Sequence, residues 1–390
     1  MIEGYDIICF SNDWDGDPLS KKHIMKRLAR KNRILWVNSI GNRNPTASAN
    51  DVARVARRLK AFVLGPRKVL DGIHVISPLA IPFHGNAAAR RINQWLLVST
   101  LRTAIRKLGF QRPVTWTFLP SSADVAGHLG EKMVIYHCTD EFSEFSGTSK
   151  DAILNMEQRL IEKANCVFVS AERLHRNKVQ HNPNVFLIRH GVDVEHFRKA
   201  CDRNTPIPED IAQIASPIVG FFGLIADWVD LQLVADLAIA RPQWSFVLIG
   251  KVVTDLSRVA RIPNIHFLGQ KSYGDLPGYC RRFDAAILPF VINELTLNAN
   301  PLKLREYLAA GLPVVSTPIP EVQELGQLVR IGRNCQEFIG HLESVLLPES
   351  SGTRLAISRE MDGESWDQRV EEMSRAIVGA SRSTGALQEV

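Results

Sequence analysis

The chain has 390 residues, of which 45% are hydrophobic and 23% charged, with a formal net charge of +6 and a pI near 9.0. This composition is typical of soluble globular proteins and excludes disordered and fibrous classes, and the length predicts two domains because a single core rarely grows this large. The positive charge favours an acidic partner, either nucleic acid, an anionic membrane or a phosphorylated substrate.

Strand-like and helix-like segments alternate along the first half of the chain. YDIICFS (5–11) and RILWVNS (33–39) are typical of strands, and the cationic segment SKKHIMKRLARK between them predicts a helix. Further strands are predicted at GIHVISP, PVTWTF, KMVIYHC, NCVFVSA and NVFLIRHG, with helices at residues 87–108 and 150–163. This alternation predicts a parallel sheet covered on both faces.

The second half repeats this pattern after a polar stretch, CDRNTPIPEDIAQIASP, which is typical of an interdomain connection. Strands are predicted at SPIVGFFG, WSFVLIG, NIHFLG, DAAILPF and LPVVST, and DLQLVADLAIARP predicts one of the intervening helices. SWDQRVEEMSRAIVGA (365–380) predicts a final amphipathic helix, followed by a frayed tail. Two successive doubly wound domains place a ligand between the carboxyl ends of their strands.

The cysteines and the amino terminus bear on the cellular location. The six cysteines form neither a CxxC pair nor a zinc-finger spacing, so we expect reduced and mostly buried thiols. The first residues lack the basic and apolar segments of a signal peptide, and no apolar run reaches the roughly 18 to 20 residues that span a bilayer. These features predict a cytoplasmic protein, and they are compatible with a peripheral position on the inner face of the membrane.

Several nucleotide-binding motifs are missing from the sequence. No G-x-G-x-x-G follows the first strand and no G-x-x-x-x-G-K-[ST] occurs, which argues against a dinucleotide dehydrogenase and a P-loop NTPase. Instead, Gly223, Gly250 and Gly269 each follow a predicted buried strand. A glycine in that position is often only a turn residue, but it also lets a ligand approach the backbone. Several such glycines in one domain favour a phosphate-bearing ligand.

The stretch NPLKLREYLAAGLPVVST (300–317) predicts a helix, a tight turn and a buried strand. Asn300 and Pro301 suit the cap and the first helical position, and Gly311 suits a left-handed stop. At 100° per residue, Lys303 and Glu306 lie together on one side. The opposite, apolar side carries Leu304, Tyr307 and Leu308.

The pair Lys303 and Glu306 allows two interpretations. One is an exposed salt bridge on an amphipathic helix. The other is a helix amino terminus that binds an anion, with Lys303 reinforcing it and Glu306 accepting hydrogen bonds from sugar hydroxyls.

Longer stretches resemble a known family. GFFGLIADWVDLQLVADLAIARPQWSFVLIG, NIHFLGQKSYGDLPGYCRRFDAAILPF and NPLKLREYLAAGLPVVSTPIPEV, in this order, resemble the donor half of group 1 glycosyltransferases with the GT-B fold. VIYHCTDEFSEFSG, FVSAERL and HGVDVEHF also resemble this class, particularly members that build bacterial exopolysaccharides and teichuronic acid. The resemblance covers nearly the whole chain and is most specific over residues 266–322. It implies two Rossmann-like, doubly wound parallel-sheet domains facing a cleft, with a C-terminal helix crossing back to the N-terminal domain.

The resemblance also implies a donor site. Glu306 matches the glutamate that hydrogen-bonds the nucleotide ribose, and the helix beginning at Asn300 matches the one facing the diphosphate. The family's second glutamate contacts the donor sugar, and Asn298 stands in its place because Glu294 comes four residues too early. The implied donor-binding residues are Gly223, Lys251, Asn298, Asn300, Pro301, Leu302, Lys303 and Glu306.

Charge neutralisation at this donor site differs from the family pattern. The arginine and lysine that hold the phosphates are absent from GLIADWVDLQ, which leaves Lys303 and Lys251 as the cations near the diphosphate. Breaking a sugar–diphosphate bond adds negative charge to the leaving oxygen, which a helix dipole with nearby cations can stabilise. We therefore expect neither a metal nor another cofactor.

The first domain is expected to hold the acceptor. YHCTDEFSEF places His137 and Asp140 just past a strand, where either side chain could remove the proton of an acceptor hydroxyl. His137 is alternatively a structural histidine and Asp140 a helix cap, and Asp140 is the preferred base. His190, beside Gly191, falls where this class has a loop facing the cleft, unless it is a turn residue.

The loop FSNDWDGDPLSKKH contains DWD and DGD, and D-x-D is the metal-binding signature of the other large glycosyltransferase fold, GT-A. Its position after the first strand argues against GT-A, because a second α/β domain would then be unexplained. In the GT-B interpretation, Asp13, Trp14 and Asp15 contact acceptor or donor sugar, and a solvated acidic turn is the alternative.

Two basic stretches explain much of the net charge. KKHIMKRLARKNR (21–33) and VARVARRLKAFVLGPRKVL (52–70) are by default solvated helical faces, but basic and apolar residues interleaved in this way also suit docking on anionic lipid. Nucleic acid is disfavoured because no RRM, KH or zinc signature occurs.

The sequence thus predicts an acceptor domain at 1–196, a donor domain at 197–363 and a crossover helix with its tail at 364–390. The predicted activity is transfer of a sugar from a nucleotide donor, most simply a UDP-sugar, to a lipid-linked or polysaccharide acceptor in cell-surface polysaccharide biosynthesis. The alternatives are an NDP-sugar epimerase of the same fold and a catalytically inactive scaffold subunit.

Overall fold

The computed structural model describes residues 1–16, 18–39, 65–79, 87–346 and 351–384. The chain divides into two compact units, one formed by Met1–Arg189 together with Arg369–Val390 and the other by His190–Gln368. The polar stretch CDRNTPIPEDIAQIASP, expected to connect two domains, therefore lies inside the second unit. Within the described ranges, no helix is both long enough and apolar enough to cross a bilayer.

The described part of the first unit contains one sheet and four helices from its amino-terminal segment. Its strands are β1 (Asp6–Phe10), β2 (Arg33–Val37), β3 (Arg67–Leu70), β4 (Ile73–Ile76), β5 (Val114–Thr117), β6 (Met133–Cys138), β7 (Cys166–Val169) and β8 (Val185–Leu187). Its helices are α1 (Ser20–Leu28), α2 (Ala87–Leu108), α3 (Lys150–Lys163) and α4 (Glu172–Lys178).

These strands pair in the order β3-β4-β2-β1-β5-β6-β7-β8. All the pairs are parallel except that of the edge strand β3 with β4. Every residue of β1, β5, β6 and β7 is buried, as in parallel sheets with both faces covered. The strand order reverses between β1 and β5, which is the point where doubly wound sheets bind ligands.

The second unit contains a second sheet. Its strands are β9 (Ile218–Phe222), β10 (Ser245–Ile249), β11 (Ile265–Gly269), β12 (Ala285–Leu288), β13 (Val314–Ser316) and β14 (Val329–Ile331). The α-helices described in this unit are α5 (Val194–Arg198), α6 (Glu209–Ala212), α7 (Leu231–Ala240), α8 (Leu276–Arg282), α9 (Glu294–Leu297), α10 (Leu302–Ala309), α11 (Pro320–Gln323), α12 (Cys335–Val345) and α13 (Ser351–Arg359).

These strands pair in the order β11-β10-β9-β12-β13-β14 and are parallel throughout. The order reverses between β9 and β12, so the second switch point lies where these two strands end. The last helix, α14 (Trp366–Thr384), begins in the second unit, and most of its residues belong to the first.

Two strands were not predicted from the sequence. β14 is a three-residue edge strand, too short to give a periodic signal. β3 lies at the end of the basic stretch 52–70, which we interpreted as a solvated helical face; residues Arg67–Leu70 instead pair antiparallel with β4. The part of that stretch before residue 65 lies outside the described residues. α1 is also only partly solvated, since Lys21, Ile24 and Met25 are among its buried residues.

Candidate functional site

The second switch point is lined by two glycines with unusual backbone conformations. Gly223 directly follows β9 with φ +134°, and Gly250 directly follows β10 with φ +151°. A Cβ on Gly250 would lie 1.8 Å from the Gly223 carbonyl oxygen, so the two loops approach more closely than any other residue type allows. This bare backbone stands where the sequence predicts a phosphate-bearing ligand. Lys251, the next residue, is exposed.

Helix α10 starts later than the sequence predicts. It begins at Leu302 with Pro301 in the N-cap position, so the expectation that Asn300 caps the helix is wrong. The other end is as predicted, because Gly311 has φ +73° and its N–H bonds to the Leu308 carbonyl oxygen at 2.9 Å.

The apolar side of α10 fixes the helix against the sheet. Leu304, Tyr307 and Leu308 are fully buried, as the 100° spacing predicts. The Phe222 N–H donates a hydrogen bond of 2.8 Å to the Tyr307 hydroxyl oxygen, which ties the middle of the helix to the end of β9. The opposite side, with Lys303 and Glu306, is only partly buried.

Lys303 reaches the point where β9 and β12 end. Its Nζ lies 5.0 Å from the ring centroid of Phe221 and 5.1 Å from that of Phe290, which suits cation–π attraction. A Cβ on Gly223 would lie 2.7 Å from this Nζ. Because only hydrogen occupies that position, the ammonium group lies directly beside the loop that follows β9.

Lys303 and Glu306 perturb each other without forming an ion pair of 4 Å or less within the described ranges. Burial lowers the pKa of Lys303 to about 8, and the Glu306 carboxylate opposes that shift. Burial raises the pKa of Glu306 to about 7, opposed by Lys303. Two groups that titrate near neutrality, one turn apart at a switch point, are a signature of a functional site. The exposed salt bridge considered from the sequence does not form.

Asn298, shortly before α10 in the chain, offers an unused acceptor. It ends α9, is 2% exposed, and donates a 2.7 Å hydrogen bond from Nδ2 to the Glu294 carbonyl oxygen. Its Oδ1 has no hydrogen-bond partner among the described residues. Buried amide oxygens are rarely left unsatisfied, so this atom is suited to accept a hydrogen bond from a ligand.

The side chain of Asn300 is hydrogen-bonded within the protein. Its Oδ1 accepts a hydrogen bond from Arg305 Nη1 at 2.9 Å, and its Nδ2 donates to Glu321 at 3.4 Å. Arg305, which is 2% exposed, also pairs with Glu364 at 2.8 Å. These contacts fix the segment before α10, so Asn300 positions the helix. No spacing in the sequence links residues this far apart, and Arg305 was therefore missed.

The first switch point carries Asp140, two residues after β6. Asp140 is half-buried, and the Thr139 hydroxyl donates a 2.8 Å hydrogen bond to its carboxylate. Its carboxylate acts to raise the pKa of Lys21 of α1, which the sequence assigned to a solvated face. His137 is not beside them on the surface: it is 1% exposed, and its ring stacks on Phe118 with centroids 4.8 Å apart. This placement favours the structural role for His137.

The acidic loop after β1 spreads its side chains apart. Trp14 is 8% exposed and packs edge-on against Trp36, whereas Asp13 is exposed. Asp15 is exposed and pairs with Arg67 at 3.0 Å. Among the described residues, no group of three or more histidine, cysteine or acidic side chains could hold a metal. Asp17, the last acid of the DGD motif, lies outside those residues.

His190, the first residue of the second unit, is 5% exposed, and its ring centroid lies 6.0 Å from that of Trp366. The neighbouring Gly191 abuts the same tryptophan, since a Cβ there would lie 2.8 Å from the Trp366 backbone nitrogen. This packing joins the start of the second unit to the start of α14.

Comparison with known proteins covers much of the second unit directly. Residues 216–346, which contain both glycines and α10, match the family model described as glycosyl transferases group 1. The second unit therefore contains a stretch that is similar to group 1 glycosyltransferases. The putative teichuronic acid biosynthesis glycosyltransferase TuaH of Bacillus subtilis (strain 168) is 26% identical over 231 residues, which cover 55% of this chain. The matched region spans 58% of the length of this relative.

Solved structures extend the similarity to the whole chain. Sucrose-phosphate synthase of Thermosynechococcus elongatus superposes with a TM-score of 0.70 at 14% identity, covering 97% of this chain and 100% of that one. A trehalose-6-phosphate structure from E. coli bound with UDP-2-fluoro glucose gives 0.64 at 13% identity, covering 95% and 98%. The catalytic domain of starch synthase IV from Arabidopsis thaliana, bound to ADP and acarbose, gives 0.65 at 11%, covering 98% and 100%.

These similarities confirm the predicted group 1 resemblance. With two parallel-sheet α/β units, they also confirm the predicted GT-B fold class. The names of the family and of the relative support the predicted enzyme class, a glycosyltransferase.

Proposed function

We propose that the protein transfers a sugar from a nucleotide-diphosphate donor, in the simplest case a UDP-sugar, to a lipid-linked or polysaccharide acceptor in cell-surface polysaccharide biosynthesis. The observation that carries this proposal is the pair Lys303 and Glu306 at the second switch point, beside glycines that leave the backbone bare. The pair lies inside the stretch that matches group 1 glycosyltransferases. The role of TuaH in teichuronic acid biosynthesis supports the acceptor class.

In this proposal, Lys303 and Glu306 bind different parts of the donor. The Lys303 ammonium binds the diphosphate and stabilises the negative charge that grows on the leaving oxygen, together with the amino-terminal end of α10. The Glu306 carboxylate accepts hydrogen bonds from the ribose hydroxyls, and Asn298 Oδ1 accepts one from the donor sugar. Because Lys303 supplies positive charge, the proposal requires no divalent cation.

The proposal leaves the base of the donor nucleotide to be determined by experiment. One structural neighbour is bound to a UDP-sugar analogue and another to ADP. The experiment is therefore thermal stabilisation of wild type by uridine, adenosine and guanosine diphosphates and their sugars, with and without EDTA, compared with Glu306→Ala. The exposed Glu324→Ala in the same unit is the matched control. We expect one nucleotide series to stabilise wild type and Glu324→Ala, to survive EDTA and to lose its effect in Glu306→Ala.

Product analysis then separates the candidate activities. Sugar transfer to an added acceptor supports the proposal, and isomerised nucleotide sugar without acceptor indicates an epimerase instead. Nucleotide binding without any turnover indicates a scaffold subunit. Binding that requires a divalent cation and ignores Glu306 contradicts the donor site itself.

A lipid-linked acceptor brings the protein to a membrane surface, and α2 supports this part of the proposal. The helix carries five basic residues and no acidic one. Ile92 and Trp95, one turn apart, are 49% and 69% exposed. Because α2 connects the parallel strands β4 and β5, its amino-terminal end lies at the edge where the strands end, the same edge as Asp140. Basic residues around an exposed tryptophan suit an anionic lipid surface.

A further inference from the structure

We propose that Lys21 and Asp140 together hold the hydroxyl group of the acceptor that attacks the donor sugar, with Lys21 as a catalytic residue that contacts the attacking oxygen. This inference rests on the proposed transferase function and adds a residue that the sequence placed on a solvated helical face. The reasons are the burial of Lys21, its unused hydrogen-bonding capacity and the position of its ammonium group at the first switch point.

Lys21 is unusual among the buried charges of the first unit. It is 6% exposed, and its ammonium group donates one long hydrogen bond, 3.4 Å, to Asn12 Oδ1. No other hydrogen bond and no ion pair of 4 Å or less from this group occurs within the described ranges. An ammonium group has three donors, so two of them point at no acceptor in the described residues.

Lys178 shows what a structural buried lysine looks like in the same unit. It is also 6% exposed, but its Nζ pairs with Glu157 at 2.7 Å and with Glu141 at 3.3 Å. Its charge is therefore compensated within the protein. Lys21 lacks this compensation, and a buried cation without a close carboxylate destabilises a fold unless a ligand completes it.

The surroundings of Lys21 indicate where that ligand enters. Its Nζ lies 5.7 Å from the ring centroid of Phe118, just after β5, and 5.9 Å from that of Phe142, shortly after β6. Asn12 follows β1. These groups therefore surround the first switch point, where the strand order reverses between β1 and β5.

Asp140 supplies the opposite charge at this place. Burial lowers the pKa of Lys21, and the negative charge of Asp140 opposes that shift. The charge of Asp140 thus acts on Lys21 although the two groups do not form an ion pair of 4 Å or less. A hydroxyl between them accepts a hydrogen bond from Lys21 and donates one to Asp140, which satisfies both.

The chemistry of this arrangement balances. The acceptor oxygen forms a bond to the anomeric carbon of the donor sugar while the bond from that carbon to the diphosphate oxygen breaks. The hydroxyl proton passes to the Asp140 carboxylate, and the Lys21 ammonium stabilises the negative charge that develops on the attacking oxygen. The nucleoside diphosphate leaves with the bonding electrons.

The experiment compares Lys21→Met with two matched variants, Lys26→Met, which removes an exposed charge from the same helix, and Lys178→Met. We expect Lys21→Met to lower acceptor-dependent transfer about 100-fold and to leave nucleotide binding within two-fold of wild type. Its unfolding temperature should equal or exceed that of wild type, whereas Lys178→Met should unfold at a markedly lower temperature. Lys21→Arg should restore part of the transfer rate.

A double variant tests whether the two groups act on one oxygen. Lys21→Met combined with Asp140→Asn should lose little more activity than either single variant, because the second change acts on a hydroxyl already misplaced. Fully multiplicative losses would contradict the proposal. So would a fall in unfolding temperature for Lys21→Met similar to that of Lys178→Met, or a loss of nucleotide binding as large as the loss of transfer.

Failure of the proposed function gives a different result. If wild type neither binds nucleotides nor turns them over, the transferase proposal fails. Stabilisation by high concentrations of free mono- and disaccharides then still tests Lys21 alone. Binding to wild type and Lys26→Met but not to Lys21→Met supports the hydroxyl site, and equal binding to all three overturns it.

Discussion

Each sheet places one lysine over two phenylalanine rings at its switch point, Lys21 in the first unit and Lys303 in the second. The two lysines differ in their neighbours. Lys303 lies beside the glycine loop after β9 and shares its helix with Glu306, while Lys21 faces an asparagine side chain and Asp140 from a separate strand. A cation beside a loop of glycines suits a phosphate, and a cation opposite a carboxylate suits a neutral hydroxyl. We infer that a lysine over two phenylalanine rings occupies the same topological position in both units and binds a charged diphosphate in one and a neutral hydroxyl group in the other.

The largest effect that separates the two sites should come from the glycines, which only the second site has. Gly250→Ala puts a Cβ 1.8 Å from the Gly223 carbonyl oxygen at φ +151°. We expect a loss of about 3–5 kcal/mol in the free energy of unfolding, from backbone strain and overpacking together. Denaturant unfolding measures it.

Gly269→Ala is the matched control for that experiment, because its φ is also positive but nothing lies within 4 Å of the added Cβ. It should lose only about 1 kcal/mol. Equal losses in the two variants would mean that the loops do not approach as the structure has them.

The second effect tests whether the lysines bind different ligands. Lys303→Met should weaken binding of the nucleoside diphosphate about 100-fold, because a hydrogen bond to a charged group is worth about 1.5–3 kcal/mol. Lys21→Met should leave this affinity unchanged. Isothermal titration calorimetry measures both, with the exposed Lys251→Met as a variant expected to lose less than about three-fold. A comparable loss of nucleotide affinity in Lys21→Met would contradict the proposal that the two lysines bind different ligands.

The sequence predicted most of the fold because most of the strands have a recognisable apolar segment of their own. β9 and β12 are uninterrupted apolar runs, and the bounds of α2 and α3 agree with the predicted 87–108 and 150–163. The buried side of α10 followed from its 100° spacing. The edge strands β3 and β14 were missed because an edge needs few apolar residues.

The candidate site was only partly predictable. Lys303 and Glu306 were found because they lie on one helix, so their spacing carries the information. Lys21 and Asp140 are brought together by strands and helices more than a hundred residues apart, and no local pattern distinguishes a buried lysine from its solvated neighbours on α1. Arg305 and Glu364 were missed for the same reason.

A third effect concerns pH, where the second site should show two limbs. Lys303 has a lowered pKa of about 8, so it loses its charge as the pH rises through that value. Glu306 has a raised pKa of about 7, so it loses its charge as the pH falls through that value. Nucleotide affinity should therefore peak between pH 7 and 8 and fall about ten-fold per unit outside it.

Two variants assign these limbs in the same titrations. Glu306→Gln should lack the acid limb, and Lys303→Arg should lack the alkaline limb because a guanidinium group stays protonated. Persistence of both limbs in both variants would assign the titration to other groups. The nucleotide has its own phosphate ionisation near pH 6, so the comparison with wild type, and not the profile itself, is decisive.

The smallest expected effect is on binding to a membrane surface. It compares an exposed apolar side chain of the first unit with one of the second, and does not involve the two lysines. Trp95→Ser on α2 should weaken binding to vesicles that contain phosphatidylglycerol about three- to ten-fold, since burying an aromatic side chain contributes about 1.5–3 kcal/mol and only part of this ring is inserted. Ile239→Ser on α7 removes an equally exposed apolar side chain, 67% exposed, from the second unit and should change nothing. Binding to zwitterionic vesicles should be weak for every variant, because the basic residues of α2 require anionic lipid. Equal sensitivity to both substitutions would mean that the protein adheres through exposed apolar side chains in general, and α2 would then give no support to a lipid-linked acceptor.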